Sequence, residues 1–88
     1  MNRVTIAELE GLVQQINRLT GHGNGEKNVG RYQLGGAYSG WRLERIVTDG
    51  GAIYTPLGGG YYSKPELAGK LRAFIHGLQT AQEQKAAK

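Results

Sequence analysis

The chain contains no cysteine. It can form no disulfide framework, thiolate metal site or thiol nucleophile, and a reducing cytosol is its natural setting. Histidine is scarce as well: His22 falls in a polar stretch, and His76 lies on the side of a predicted helix away from its apolar stripe. With no paired carboxylates at ligand spacing, neither points to a metal site. Ser39 and Ser63 have turn and helix-start duties, and neither is accompanied by a base that would make it a nucleophile. We expect no enzymatic activity, no metal and no cofactor. No apolar run approaches the ~18 residues of a membrane span. Met1-Asn2-Arg3-Val4 leads straight into an amphipathic pattern, so the chain reads as soluble and unprocessed.

Glycine is what the chain has in abundance. Of 15 glycines, 12 lie between Gly21 and Gly60, which divides the sequence into a helix, a glycine-punctuated β region and a second helix. Gly35-Gly36, Gly50-Gly51 and Gly58-Gly59-Gly60 mark turns, bulges or places of close backbone approach. A chain of 88 residues makes one domain and buries only about 60 to 65% of its unfolded surface. Its stability is marginal or shared with a partner subunit. Eleven Lys and Arg against seven Asp and Glu give a net charge of +4, which favours encounter with nucleic acid, nucleotides or acidic protein surfaces. The same balance also describes a solvated surface that is merely basic.

Thr5-Ile6-Ala7-Glu8 has the form of a capping box, with Val4 and Leu9 as its hydrophobic staple. Leu9, Leu12, Val13, Ile16 and Leu19 then recur at helical spacing, and Gly21 stands where a left-handed cap belongs. The first helix is predicted from Ile6 to Thr20. The polar stretch Gly21 to Asn28 reads as a mobile loop. Arg31 to Tyr38, Trp41 to Thr48 and Ala52 to Leu57 are rich in β-branched and aromatic residues, and Ser39-Gly40 and Asp49-Gly50-Gly51 between them are hairpin signals. Trp41, Leu43 and Val47 alternate with Arg42, Glu44 and Thr48, but Arg45 and Ile46 are exchanged, which a bulge or a two-sided strand explains. Ser63-Lys64-Pro65-Glu66 repeats the helix-start signal, with Tyr62 and Leu67 as staple, and Leu67, Leu71, Phe74, Ile75 and Leu78 form one stripe, giving a helix from about Lys64 to Gln79 or a little beyond. Thr80 to Lys88 lacks an apolar face and is expected to fray. The expectation is an α+β fold in the order αβββα, a three-stranded meander with both helices on one face, spanning 1–80 with a tail at 81–88.

The most specific local signal is Gly58-Gly59-Gly60-Tyr61-Tyr62-Ser63-Lys64, a glycine-rich loop entering a capped helix. Exposed amides, the positive end of the helix dipole and Lys64 suit a phosphate or other anion; a flexible connector is the competing reading. The spacing is not that of a P-loop. Tyr38, Tyr54 and Tyr61, interleaved with Arg42 and Arg45, have the composition of a surface that stacks on bases or anchors a protein, whereas Trp41 and Tyr62 are expected to face the core. Gly69, Ala73 and Gly77 form a stripe of small residues on the second helix, suited either to self-association or to packing on the first helix.

Ala37-Tyr38-Ser39-Gly40-Trp41-Arg42-Leu43-Glu44-Arg45 and Gly59-Gly60-Tyr61-Tyr62-Ser63-Lys64-Pro65-Glu66-Leu67, followed by Leu71 to Leu78, resemble a recurrent class of small proteins of tailed phages and prophages. That resemblance implies a phage accessory protein made in the bacterial host cytoplasm, where short basic proteins bind and disable a host factor. The leading expectation is a binding protein that inhibits a host function, such as a defence system, by engaging a host protein or a small anionic, nucleotide-like ligand. The order αβββα with Ser63-Lys64 before the last helix is also similar to the double-stranded RNA-binding domain, which implies phosphate contacts from Lys64. Pro65, Leu67 and Ala68 depart from that family's basic cluster. A nucleic-acid-binding module is the alternative expectation.

Overall fold

The computed structural model of the chain describes residues 3–21 and 29–86; His22, most of the loop predicted around it and the last two tail residues lie outside these. The chain runs α1 (Ile6–Leu19), β1 (Tyr32–Ala37), β2 (Gly40–Ile46), β3 (Ile53–Tyr54) and α2 (Lys64–Ala86). The strands form one three-stranded antiparallel sheet with β2 at its centre. This is the expected α+β order.

The helices form because their apolar residues share a face. Leu9, Val13 and Ile16 from α1 meet Leu67, Ala68, Leu71 and Ile75 from α2 over Tyr32 and Leu43 of the sheet, and all nine are buried. At the start of α1 the Thr5 hydroxyl accepts from the Glu8 N–H at 3.1 Å. The Glu8 carboxylate lies 3.9 Å from Arg72 of α2, so the reciprocal half of the expected box is replaced by an exposed ion pair. Gly21 ends α1 at φ +86°, as its position predicts.

α2 extends to Ala86, well past the expected end near Gln79. The carbonyls of Ile16 and Arg18 are capped by the Thr20 and Gly21 N–H groups, and the tail reaches the next one: Gln82 Nε2 donates to the Leu19 carbonyl at 2.6 Å.

The strands are shorter than predicted. β3 stops at Tyr54 because Pro56 offers no N–H to a ladder and the Gly58 N–H turns back to the Thr55 carbonyl at 3.1 Å. The first hairpin turns on Tyr38 and Ser39, at φ 50° and 59°, rather than on Ser39-Gly40. Ala37 pairs with Gly40, and two positive φ angles in a two-residue loop define a type I′ turn. Gly40 is needed elsewhere: a Cβ there would stand 2.8 Å from the Tyr61 Cβ. The second turn is wider than expected, with Val47 N–H donating to the Ala52 carbonyl at 2.9 Å around Thr48 to Gly51.

β2 alternates without interruption through its register with β1. Arg45 therefore faces the helices, its guanidinium 5.6 Å from the Tyr32 ring centroid, and Ile46 pairs with Ile53 on β3. Val47, predicted to join the apolar face, is exposed. The irregularity belongs to the partner strand: Gly30, at φ +90°, donates to the Ile46 carbonyl at 2.6 Å while Ile46 N–H donates to the Arg31 carbonyl at 2.9 Å. Two residues oppose one, which is a glycine bulge.

Candidate functional site

Leaving β3, the chain makes an excursion from Thr55 to Tyr61 and rejoins β2 at Tyr62. Trp41 N–H donates to the Tyr62 carbonyl at 2.8 Å and Tyr62 N–H to the Trp41 carbonyl at 2.7 Å. The Tyr62 hydroxyl donates to the Leu57 carbonyl at 2.9 Å. These bonds fix the base of the glycine loop, and Gly40 lets Tyr61 come down onto the hairpin end.

Three sequence-predicted residues meet there on the sheet face opposite the helices. Tyr38 stands edge-on to Tyr61, centroids 5.7 Å apart at 65°. The Arg42 guanidinium lies 4.6 Å from the Tyr61 ring centroid, donates to the Gly59 carbonyl from Nη1 at 2.9 Å, and donates from Nε to Glu44 Oε2 at 2.9 Å. Glu44 Oε1 accepts from Gln33 Nε2 at 2.9 Å. The carboxylate lies flat on Gly35, where any Cβ would overlap it. Glu44 and the Gly59 carbonyl orient the guanidinium, and Gln33 holds Glu44, so the stack from Arg42 through Tyr61 to Tyr38 is anchored at its base and open at its tip. Tyr38 is 90% exposed.

The start of α2 is largely self-satisfied. Pro65 carries no N–H, the Glu66 N–H faces Ser63 Oγ at 3.4 Å, and the Leu67 N–H donates to the Ser63 carbonyl at 2.9 Å. The Ser63 hydroxyl donates to Glu66 Oε1 at 3.0 Å, which sets a carboxylate in the first turn. Gly60 has open space around it, and Gly58 takes φ +106°. Lys64 lines a shallow groove with Gly36, Ser39, Gly40 and Trp41.

Other predicted residues fall elsewhere. Arg45 and Tyr54 are register partners at the far end of β2, and alternation turns them to the face opposite Arg42. Gly69, Ala73 and Gly77 are exposed, and nothing lies within 4 Å of a Cβ at Gly69 or Gly77; the stripe does not pack on α1. Sequence reasoning missed Gln33 and Glu44, although a glycine paired across from an Arg-x-Glu strand was a usable signal that a side chain must lie over it. Among the described residues, no group of three His, Asp or Glu is placed to hold a metal, and no helix is long and apolar enough to cross a membrane.

Comparison with protein-family models, with curated proteins and with solved structures finds no match to this chain.

Proposed function

We propose that the chain is a non-enzymatic binding protein of phage-accessory type, which engages a protein of the bacterial host in its cytoplasm and inhibits that protein's function, a defence function being the expected target. The observation that carries this reading is Tyr38. A bulky residue in the left-handed region is costly, an exposed aromatic ring gains nothing from the core, and here one residue combines both at the open end of a stack anchored by Arg42. Strain and exposure together are characteristic of a contact surface, and tyrosine and arginine are the residues that dominate binding energy at protein interfaces.

The geometry favours a protein partner over a small anion. The α2 start has few uncommitted amides, Glu66 places negative charge beside them, and Glu44 already balances Arg42. The net charge of +4 steers the surface towards an acidic partner.

A photo-crosslinking amino acid placed at position 38, and at Tyr54 as a control on the other face, tests the reading in nuclease-treated bacterial extract. A host protein captured from position 38 and not from 54, in a complex whose activity falls on adding the purified chain, supports it. Capture of nucleic acid alone before nuclease treatment, with steep loss in salt, replaces it with the nucleic-acid reading. A co-purifying nucleotide with no protein replaces it with the small-anion reading.

A further inference from the structure

Among the described residues β1 is an edge strand, laddered to β2 alone. In an antiparallel ladder successive residues direct their N–H and C=O groups to alternate sides. Tyr32 turns both groups away from β2, where the buried Asn17 side chain takes them: Tyr32 N–H donates to Asn17 Oδ1 at 2.8 Å and Asn17 Nδ2 donates to the Tyr32 carbonyl at 2.9 Å. The same alternation sends the groups of Leu34 and Gly36 outward in line with them, and no hydrogen bond among the described residues takes these. Asn17 supplies for one residue what a neighbouring strand would supply for three.

Protein edges are ordinarily blunted by charge or proline. β1, with the sequence YQLGGA, carries neither. Between this edge and α1 runs a groove lined by Gly11, Val13, Gln14, Tyr32 and Leu34, with Glu10 and Arg31 among its borders. Gly11 lies inside α1, where glycine costs about 1 kcal/mol relative to alanine, and among the described residues nothing lies within 4 Å of a Cβ built there. It lowers the helix wall where an added backbone would run.

We propose that this groove receives an extended segment of a partner polypeptide, which adds to β1 as a further antiparallel strand. A second copy of this chain fits less well, because each copy's α1 flanks the edge that the other would have to approach, whereas a lone extended segment brings no helix. The residues facing Leu34 and Gly36 would project to the helix side, against Val13, and are apolar or small. The residue between them faces the open side near Gln33 and is polar. This site is separate from the Tyr38 surface, and neither proposal depends on the other.

The test selects peptides from a random nonapeptide library on the folded full chain and follows the selected peptide by calorimetry and amide exchange. The Leu34 and Gly36 amides, exchanging fast in the free protein, should become protected about tenfold or more at saturation while Gln33 and Gly35 change little. Replacing alternate peptide amides by esters should weaken binding about tenfold, and replacing the intervening ones should not. Gly11→Arg, which fills the groove, should weaken binding by a similar factor without lowering the melting temperature; Gly11→Gln should give a smaller loss. Failure to select any peptide, protection without a two-residue period, or full binding by Gly11→Arg overturns the proposal. So does concentration-dependent protection of Leu34 and Gly36 in the free chain together with a dimer in sedimentation, which would assign the edge to a second copy.

Discussion

Asn17 and the backbone of Tyr32 are joined by a closed pair of hydrogen bonds, 2.8 and 2.9 Å long, with Asn17 fully buried. The pair ties α1 to the strand edge and satisfies two main-chain groups that water does not reach. A buried group left unsatisfied costs about 1–3 kcal/mol. Asn17→Leu should therefore destabilise the fold by roughly 2–4 kcal/mol even though it adds apolar surface. Urea unfolding measures the loss, and a variant as stable as the parent would show the clamp to be dispensable.

Tyr38 offers the opposite trade. Asparagine tolerates the left-handed conformation of a type I′ turn far better than tyrosine. Tyr38→Asn should raise stability by about 0.5–1 kcal/mol while abolishing capture of a partner at this surface. Thermal unfolding and the crosslinking assay report the two effects separately. A less stable variant would mean that the Tyr61 contact outweighs the turn strain.

The two helix starts should differ. Thr5 accepts a hydrogen bond of 3.1 Å from the Glu8 N–H, whereas Ser63 stands 3.4 Å from the Glu66 N–H and spends its hydroxyl proton on the Glu66 carboxylate. Thr5→Ala should lower stability by roughly 0.5–2 kcal/mol, and Ser63→Ala by less. Equal losses in denaturant titrations would contradict the geometric distinction.

Both helices, their starts and their apolar stripes were legible because capping and helical periodicity are local: Thr5, Gly21, Ser63 and Leu67 do what neighbouring residues imply. The hairpin turn was misplaced by one residue because Gly40 answers a non-local demand, the approach of Tyr61, that no turn preference encodes. The exchange of Arg45 and Ile46 left a bulge and a two-sided strand both open, and only register decides between them: the Arg45 guanidinium lies over Tyr32, so a charged residue occupies a helix-facing position. Of the candidate site, Tyr38, Tyr61 and Arg42 could be named from composition, but their separation from Arg45 and Tyr54 follows only from register. Asn17 left one trace, a polar residue four places beyond Val13 on the stripe that begins at Leu9.

Arg42→Lys should not be conservative. An ammonium group cannot cover the Tyr61 ring while also reaching Glu44 and the Gly59 carbonyl, which the planar guanidinium does at once. A stability loss of about 1–3 kcal/mol is expected. Because the ion pair is mostly shielded from water, the loss should persist in high salt. A loss that vanished with added salt would show the pair to be an ordinary surface contact.

The hydrogen bond from Gln82 to Leu19 spans 63 residues of chain, whereas the β1–β2 hairpin closes over two. In kinetic terms these contacts belong to different moments of folding. Near-neighbour pairing is gained early, and a clasp between the ends of two distant helices can close only after the sheet has brought them together. Loosening such a late contact leaves the rate of folding almost unchanged and accelerates unfolding. The Gln82 contact therefore bears on how long the folded molecule lasts more than on how quickly it forms.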